Sequence, residues 1–388
     1  MCCVHRPVQD TPERHADTQS DLRQPLSTCC GRKKVEDVDT PAEPPPDPAA
    51  ALRRIAFLLE RTLADTFKVK AFRGAAARVL ATAPEELAER ASAGTLRELE
   101  GIGKATEAVI LEALEGRVPA YLADLEAEAG PLITGGEEVR RQLRGDLHTH
   151  SDWSDGGSPI QEMVVTGVQL GHEYMALTDH SPRLKIANGL TAARLTRQLD
   201  VVDAVNDHLA DGFRLLKGIE VDILDDGKLD QSEEMLDRLD VVVASVHSKL
   251  RMDSAPMTRR MVAAAENPRT NVLGHCTGQL VRGGRGTRPQ SEFDARAVFE
   301  ACRDHQVAVE INSRPERQDP PDDLVDLALE IGCLFAIDSD AHAPGQLDFL
   351  DYGAARAHAL GVPVERIVTT WPLEQLLAWT GKGRSPEK

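Results

Sequence analysis

From Pro48 to about Gly130, apolar residues return every three or four positions. Leu52, Ile55, Leu58, Leu59 and Leu63 form the stripe of an amphipathic helix. A second helix is predicted over 71–80, and Ala83-Pro84-Glu85-Glu86 opens a third. The run from Leu96 to Ile110 is interrupted only by Gly101-Ile102-Gly103, a tight turn between two helical segments. Past Pro131-Leu132-Ile133-Thr134-Gly135-Gly136, which begins a linker expected over 131–143, the pattern changes. Short apolar runs alternate with helical stretches such as 191–211 and 293–305, the texture of βα units. Residues 1–47 show no periodicity, are rich in proline and polar groups, and are expected to be a disordered tail.

What ends the apolar runs carries the chemistry. Leu147 leads into His148-Thr149-His150, and residues two apart on a strand point to one side, so both imidazoles can aim at one point. Asp155 follows in a Ser-Asp-Gly-Gly turn. The run from Tyr174 ends in His180, that from Leu215 in Glu220, and that from Val241 in His247. The run from Asn271 ends in His275, that from Val307 in Asn312, and that from Phe335 in Asp340-Ala341-His342. In a βα barrel the C-terminal strand ends converge on one face, where catalysis sits. A single buried histidine is usually a hydrogen-bonded core residue. Six histidines and three carboxylates at successive strand ends point instead to bound metal, and imidazole with carboxylate suits zinc, manganese or iron.

Charge narrows the partners. The 388 residues carry a formal net charge of −18, which argues against holding nucleic acid by bulk electrostatics. Residues 48–130 are nearly balanced, with eleven Lys/Arg against thirteen Asp/Glu, so a local contact there stays open. No apolar run reaches eighteen residues and the first residues lack a signal-peptide core, so no membrane partner and a cytoplasmic location are expected. The seven cysteines, including the pairs Cys2-Cys3 and Cys29-Cys30 of the tail, are not spaced as a disulfide framework.

The order His-x-His, Asp in a Ser-Asp-Gly turn, Thr-Asp-His, Glu, Ser-x-His, Gly-His, Asp-x-His resembles the polymerase and histidinol phosphatase (PHP) family over residues 144–388. The resemblance implies a distorted (β/α)7 barrel with a trinuclear metal site. It assigns His148, His150, Glu220 and Asp340 to a first ion, Glu220 with His247 and His275 to a second, and Asp155, His180 and His342 to a third. Glu220, Asp340 and His247 would be its catalytic members. The stretches 179–190 and 310–315 are most similar to the PHP domain at the C-terminus of bacterial family X DNA polymerases. Residues 48–130 resemble the small helix-hairpin-helix domain of those polymerases, with Gly101, Gly103 and Lys104 at the turn that would meet a DNA phosphate. The position of a lyase lysine falls near Val109, so lyase activity is not expected. The residues ahead of the barrel leave no room for palm or fingers, so polymerase activity is not expected either.

Together these readings predict an α/β protein, a helix-hairpin-helix domain before a PHP barrel, acting as a metal-dependent phosphoesterase on DNA ends with three divalent ions. Arg183, Lys185, Lys249 and Arg314 are the cations expected to meet phosphate oxygens. Two other readings remain open: a small-molecule phosphatase of the histidinol-phosphate type, and a PHP scaffold without catalysis.

Overall fold

The computed structural model describes residues 47–209, 212–283 and 286–381. The tail expected over 1–47, with its four cysteines, lies outside the described residues up to Pro46. The helical region begins with α1 (Pro48–Arg61), where the Asp47 carboxylate accepts the amides of Ala49 and Ala50. Next comes α2 (Thr66–Leu80), which starts ahead of the predicted Ala71 because Asp65 caps it. Its first turn holds exposed Phe67 and Lys68, so no apolar stripe marks it. Then follow α3 (Pro84–Ala93), a 3-10 turn over 96–98, α4 (Lys104–Leu114) and α5 (Ala120–Glu128). Leu52, Ile55, Leu59, Phe72, Leu96 and Ile110 bury one another in a core of their own. Gly101 enters α4 with φ +89°, a conformation that L side chains rarely adopt.

The stretch expected as a linker holds one turn of helix, α6 (Glu137–Arg140). The barrel then runs β1 (Gly145–Thr149), α7 (Ile160–Gln169), β2 (Tyr174–Leu177), α8 (Ala192–Asn206), β3 (Arg214–Asp222) and α9 (Glu233–Leu236). It continues through β4 (Val241–Ser245), α10 (Ser254–Ala265), β5 (Val272–Leu273), α11 (Ala295–Asp304), β6 (Ala308–Asn312), α12 (Asp322–Ile331) and β7 (Leu334–Asp338). A 3-10 turn over 344–349, α13 (Leu350–Ala359) and α14 (Leu373–Thr380) close the described chain. The seven strands pair in parallel and in sequence order, giving the (β/α)7 barrel the sequence predicted.

The join between β1 and β7 is made differently from the others. One parallel bridge links Thr149 to Ala341, and His150 N donates to Ala341 O at 2.8 Å. Below it, Leu147 N donates to the Asp338 carboxylate at 2.8 Å and Ser339 N to that of Asp146 at 3.2 Å. Side chains therefore close the ring where a ladder would otherwise run.

Strand alternation separates two apolar layers. Ile219, Val221, Val242, Val309, Ile311 and Phe335 face the helices, while Leu147, Tyr174, Leu216, Val243, Val272 and Ala336 fill the barrel interior over Val368, Leu376 and Trp379. Further along the inward side, the side chains turn polar: on β3 the sequence is Leu216, Gly218, Glu220, Asp222. That switch sets a polar pocket on an apolar plug.

Candidate metal centre

Glu220 lies at the middle of the pocket because β3, at nine residues, carries it inside the strand rather than past its end. Its Oε2 is 2.7 Å from His180 Nδ1 and 3.3 Å from His148 Nε2; its Oε1 is 2.8 Å from His275 Nε2 and 3.1 Å from His247 Nε2. His150 Nε2 stands 3.6 Å from Glu220 and 3.5 Å from Asp340 Oδ1. Asp155 Oδ1 lies 3.3 Å from His180 Nε2 and 3.4 Å from His342 Nε2. The ligand-type atoms gather into four overlapping groups: His150, Asp155, His180 and His342; His148, His150 and Asp340; His148, Glu220 and His275; His180, Glu220 and His247. All nine residues singled out in the sequence fall in these groups.

Whether such a cluster suits metal can be tested on its own atoms. His148 Nε2, both nitrogens of His150 and of His275, His180 Nδ1 and both oxygens of Glu220 are buried without a hydrogen-bond partner. A buried polar atom left unpaired costs roughly 1–3 kcal/mol, so this many around one point fit a cation that all of them would face. The protonation pattern is divided: against burial, Glu220 raises His148, His180 and His247, while burial lowers His150 and His275. Burial alone would raise the Glu220 carboxyl, but the imidazoles of His247, His148 and His180 hold it well below the usual range. Burial likewise opposes ionisation of Asp340, and Arg317 with His150 overcomes it. Burial, then the neighbouring His342 and His180, keep His150 neutral, as a ligand must be.

A second ring of residues aims the first. His148 Nδ1 is 2.5 Å from Glu310 Oε1, and a proton held there leaves the Nε2 lone pair facing Glu220. Glu310 Oε2 also accepts His275 N. Asp222 Oδ1 stands 2.9 Å from His247 Nδ1 in the same role. Asp179 ties the loop that carries Asp155 to β2, accepting Ser151 N at 2.9 Å, Ser151 Oγ at 2.6 Å and Gln198 Nε2 at 2.6 Å. Arg317 Nε donates to Asp340 Oδ2 at 3.0 Å, and Asp340 itself sits at φ +51°, a strained setting for a non-glycine residue. Sequence reasoning missed Glu310, Asp222, Asp179 and Arg317. Two of them had a signal: Glu310 and Asp222 lie two residues from Asn312 and Glu220, on the same strand faces.

The expected phosphate cations are placed unequally. Arg314 is at the pocket, its Nη1 donating to Asp340 O at 2.9 Å and lying 3.1 Å from His342 Nδ1. Arg183 is half exposed, with Nε 3.8 Å from Asp222 Oδ2. Lys185 is exposed on a 3-10 turn over 185–187. Lys249 is exposed and paired with Asp225 at 2.6 Å. At the hairpin, Gly101, Gly103 and Lys104 are exposed around buried Ile102. Ile102 N donates to Leu99 O and Gly103 N to Thr106 Oγ1, so an anion would meet the first-turn amides of α4 beyond them. Val109, near which the resemblance would set a lyase lysine, is buried.

Comparison with known proteins follows the same division. Residues 146–314 match the PHP domain and residues 43–118 the helix-hairpin-helix domain. A DNA polymerase/3′-5′ exonuclease PolX of Bacillus subtilis is 37% identical over 238 residues, which cover 61% of this chain and 41% of that protein. The chain thus spans less than half the length of that relative. The probable phosphatase YcdX of Escherichia coli K12 is 28% identical over 251 residues, 62% of this chain and 96% of that one. A histidinol phosphate phosphatase from Lactococcus lactis aligns with TM-score 0.40 and 17% identity over 56% of this chain and 92% of that one. Among the described residues, no helix is long and apolar enough to cross a membrane.

Proposed function

Since the chain carries a PHP domain behind a helix-hairpin-helix domain, we propose that its pocket binds three divalent cations and hydrolyses phosphate esters at DNA ends, as a 3′-5′ exonuclease or end-processing phosphatase in the cytoplasm. The observation that carries the reading is the convergence of nine ligand-bearing side chains, five of which (His148, His150, His180, Glu220 and His275) hold buried nitrogens or oxygens without hydrogen bonds. His148, His150 and Asp340, with Glu220 Oε2, would hold one ion, and His247 and His275, both beside Glu220 Oε1, a second, although the ligand groups also set His275 with His148 and His247 with His180; Asp155, His180 and His342 would hold the third, which His150 also faces. Zinc, manganese or iron fits such ligands, and when bound would activate water and offset phosphate charge.

The remaining work falls to the protein. Glu220 spans the two inner positions with one oxygen toward each side of the pocket. Arg314, held beside His342 at the pocket edge, is placed to meet a non-bridging phosphate oxygen; Arg183, Lys185 and Lys249 lie farther out, where a longer substrate would run. Beyond the turn at Gly101-Ile102-Gly103, the first-turn amides of α4 from Lys104 on would take a DNA phosphate, a contact indifferent to sequence. The name of the Bacillus subtilis relative supports DNA as substrate. The near-complete coverage of the Escherichia coli phosphatase supports the second reading, a small phosphomonoester substrate. A scaffold without catalysis gives no reason for a complete ligand set.

The test is a side-by-side assay of purified, Mn²⁺-loaded protein on single-stranded DNA and on histidinol phosphate. Chelator-sensitive release of nucleotides or terminal phosphate is expected. Turnover of histidinol phosphate alone would move the substrate to the small-molecule class, and no turnover of either by fully loaded protein would sink the phosphoesterase reading.

A further inference from the structure

The helical region and the barrel meet through a buried ionic clamp. Glu60, near the end of α1, is 5% exposed. Its Oε2 accepts Gly345 N at 2.8 Å, and its two oxygens take Arg73 in a two-point pair at 2.9 and 2.7 Å. Arg73 reaches onward to Glu162 of α7 at 3.0 Å, where Arg53 also arrives at 3.3 Å. Arg61 pairs with Asp348. The fit is close: a Cβ on Gly345 would lie 2.2 Å from Phe57 O and 2.7 Å from Glu60 Cβ, so α1 rests directly on the turn over 344–349.

The two gripped segments are those that supply the outer ligands. The 344–349 turn follows His342, and its Gln346 Oε1 accepts His342 N at 2.8 Å. The helix α7 follows Asp155, and Gly157 N donates to His342 O at 2.6 Å. Asp155 and His342 are the most exposed ligands, with side chains 30% and 22% exposed, and both stand on loops. Glu220, His148 and His275 stand on or beside strands and are fully or almost fully buried. The described hydrogen bonds and ion pairs from the helical region to the barrel go to Glu162, Gly345 and Asp348, beside the outer ligands.

We infer that Glu60 and Arg73 are positioning residues of the metal centre: the helix-hairpin-helix domain sets the spacing of Asp155 and His342 and thereby the affinity of the outermost cation position. The domain is then part of the metal site's construction and not a detachable adaptor. This rests on the three-cation reading above.

The experiment uses the full chain and the metal alone as probe. Wild type, Glu60→Ala, Glu60→Gln, Arg73→Met and a control, Arg78→Ala, are stripped, titrated with Mn²⁺ and counted by elemental analysis after dialysis. Arg78 pairs with Glu100 inside the helical region and is not in the clamp. Glu60→Ala is expected to weaken one cation equivalent by about 10-fold or more, the size seen when a residue supporting a metal ligand is lost, and to leave the other two unchanged. Glu60→Gln keeps an oxygen for Gly345 N and should recover part of the loss, while Arg78→Ala should match wild type. If Glu60→Ala does not fold, Arg73→Met and Glu60→Gln carry the same comparison. Three equivalents at wild-type affinity in the folded clamp variants, or equal weakening of all three, overturns the inference. Wild-type protein that binds no cation overturns the three-cation reading itself and the inference with it.

Discussion

The floor and the rim of the pocket use the same kinds of ligand on different supports. Glu220 stands in a strand whose neighbours are hydrogen-bonded on both sides, and His148 projects from β1 onto Glu310. Asp155 and His342 stand on loops, tied by Ser154, Gln346 and the helical clamp. A ligand on a sheet inherits the sheet's rigidity, whereas a loop ligand is only as fixed as the contacts that brace it. The pocket therefore has a preformed part and an adjustable part, and metal should load the two unequally.

The largest effect should come from the floor. Glu220→Gln removes the one carboxylate shared by the inner positions, and steady-state assays should show turnover at least ~10²-fold lower, together with loss of two cation equivalents by elemental analysis. Near-normal rates would remove Glu220 from the centre. Next is Glu310→Gln, which touches no cation but weakens the support of His148 and His275; calorimetric titration should show metal affinity down about 10- to 100-fold. Asp155→Asn, at the proposed rim ligand, should cost only on the order of tenfold, because His150, His180 and His342 remain. An Asp155→Asn loss exceeding that of Glu310→Gln would reverse the ranking of floor over rim.

A last effect, read in stability and not in metal affinity, lies away from the pocket. His172, before β2, is buried with both ring nitrogens unpaired, and burial with nearby Arg140 pushes its pKa down to about 3. The unfolded chain takes up a proton near pH 6.5 that the folded chain refuses, so stability is complete above that pH and declines as pH falls toward 3. In chelator-treated protein the denaturation midpoint should fall over that window, by at most about 1.4 kcal/mol per pH unit from this proton. His172→Leu should flatten that part of the profile; an unchanged slope would exclude His172 as its source.

Much of the floor was legible because it obeys strand alternation and recurs at the ends of apolar runs. The histidines from His148 to His342 mark five of the seven strand ends, Glu220 and Asn312 mark the other two, and the barrel follows from the alternation of those runs with helical stretches. Glu310 hid inside an apolar run, where a carboxylate reads as an interruption, although its two-residue spacing from Asn312 marked the same face. Arg317 and Asp179 gave no local pattern, since their partners lie 23 and 28 residues away in Asp340 and Ser151. The Glu60–Gly345 contact joins residues 285 positions apart, and only the folded chain shows it. Lys249 was expected near a phosphate, and its pairing with Asp225, 24 residues away, had no signal in the sequence.

The ring's one irregular join bears on association. A strand at the edge of a sheet offers bare amides and carbonyls to any passing strand, and proteins must blunt such edges to stay apart from their copies. In a seven-stranded ring without a continuous ladder, β1 and β7 would be those edges. Here the amides of Leu147, Ser339 and His150 are already occupied, two of them by the carboxylates of Asp338 and Asp146. Two buried acids thus do for this sheet what lysines or prolines do for open ones: they leave no template on which a neighbour could extend it.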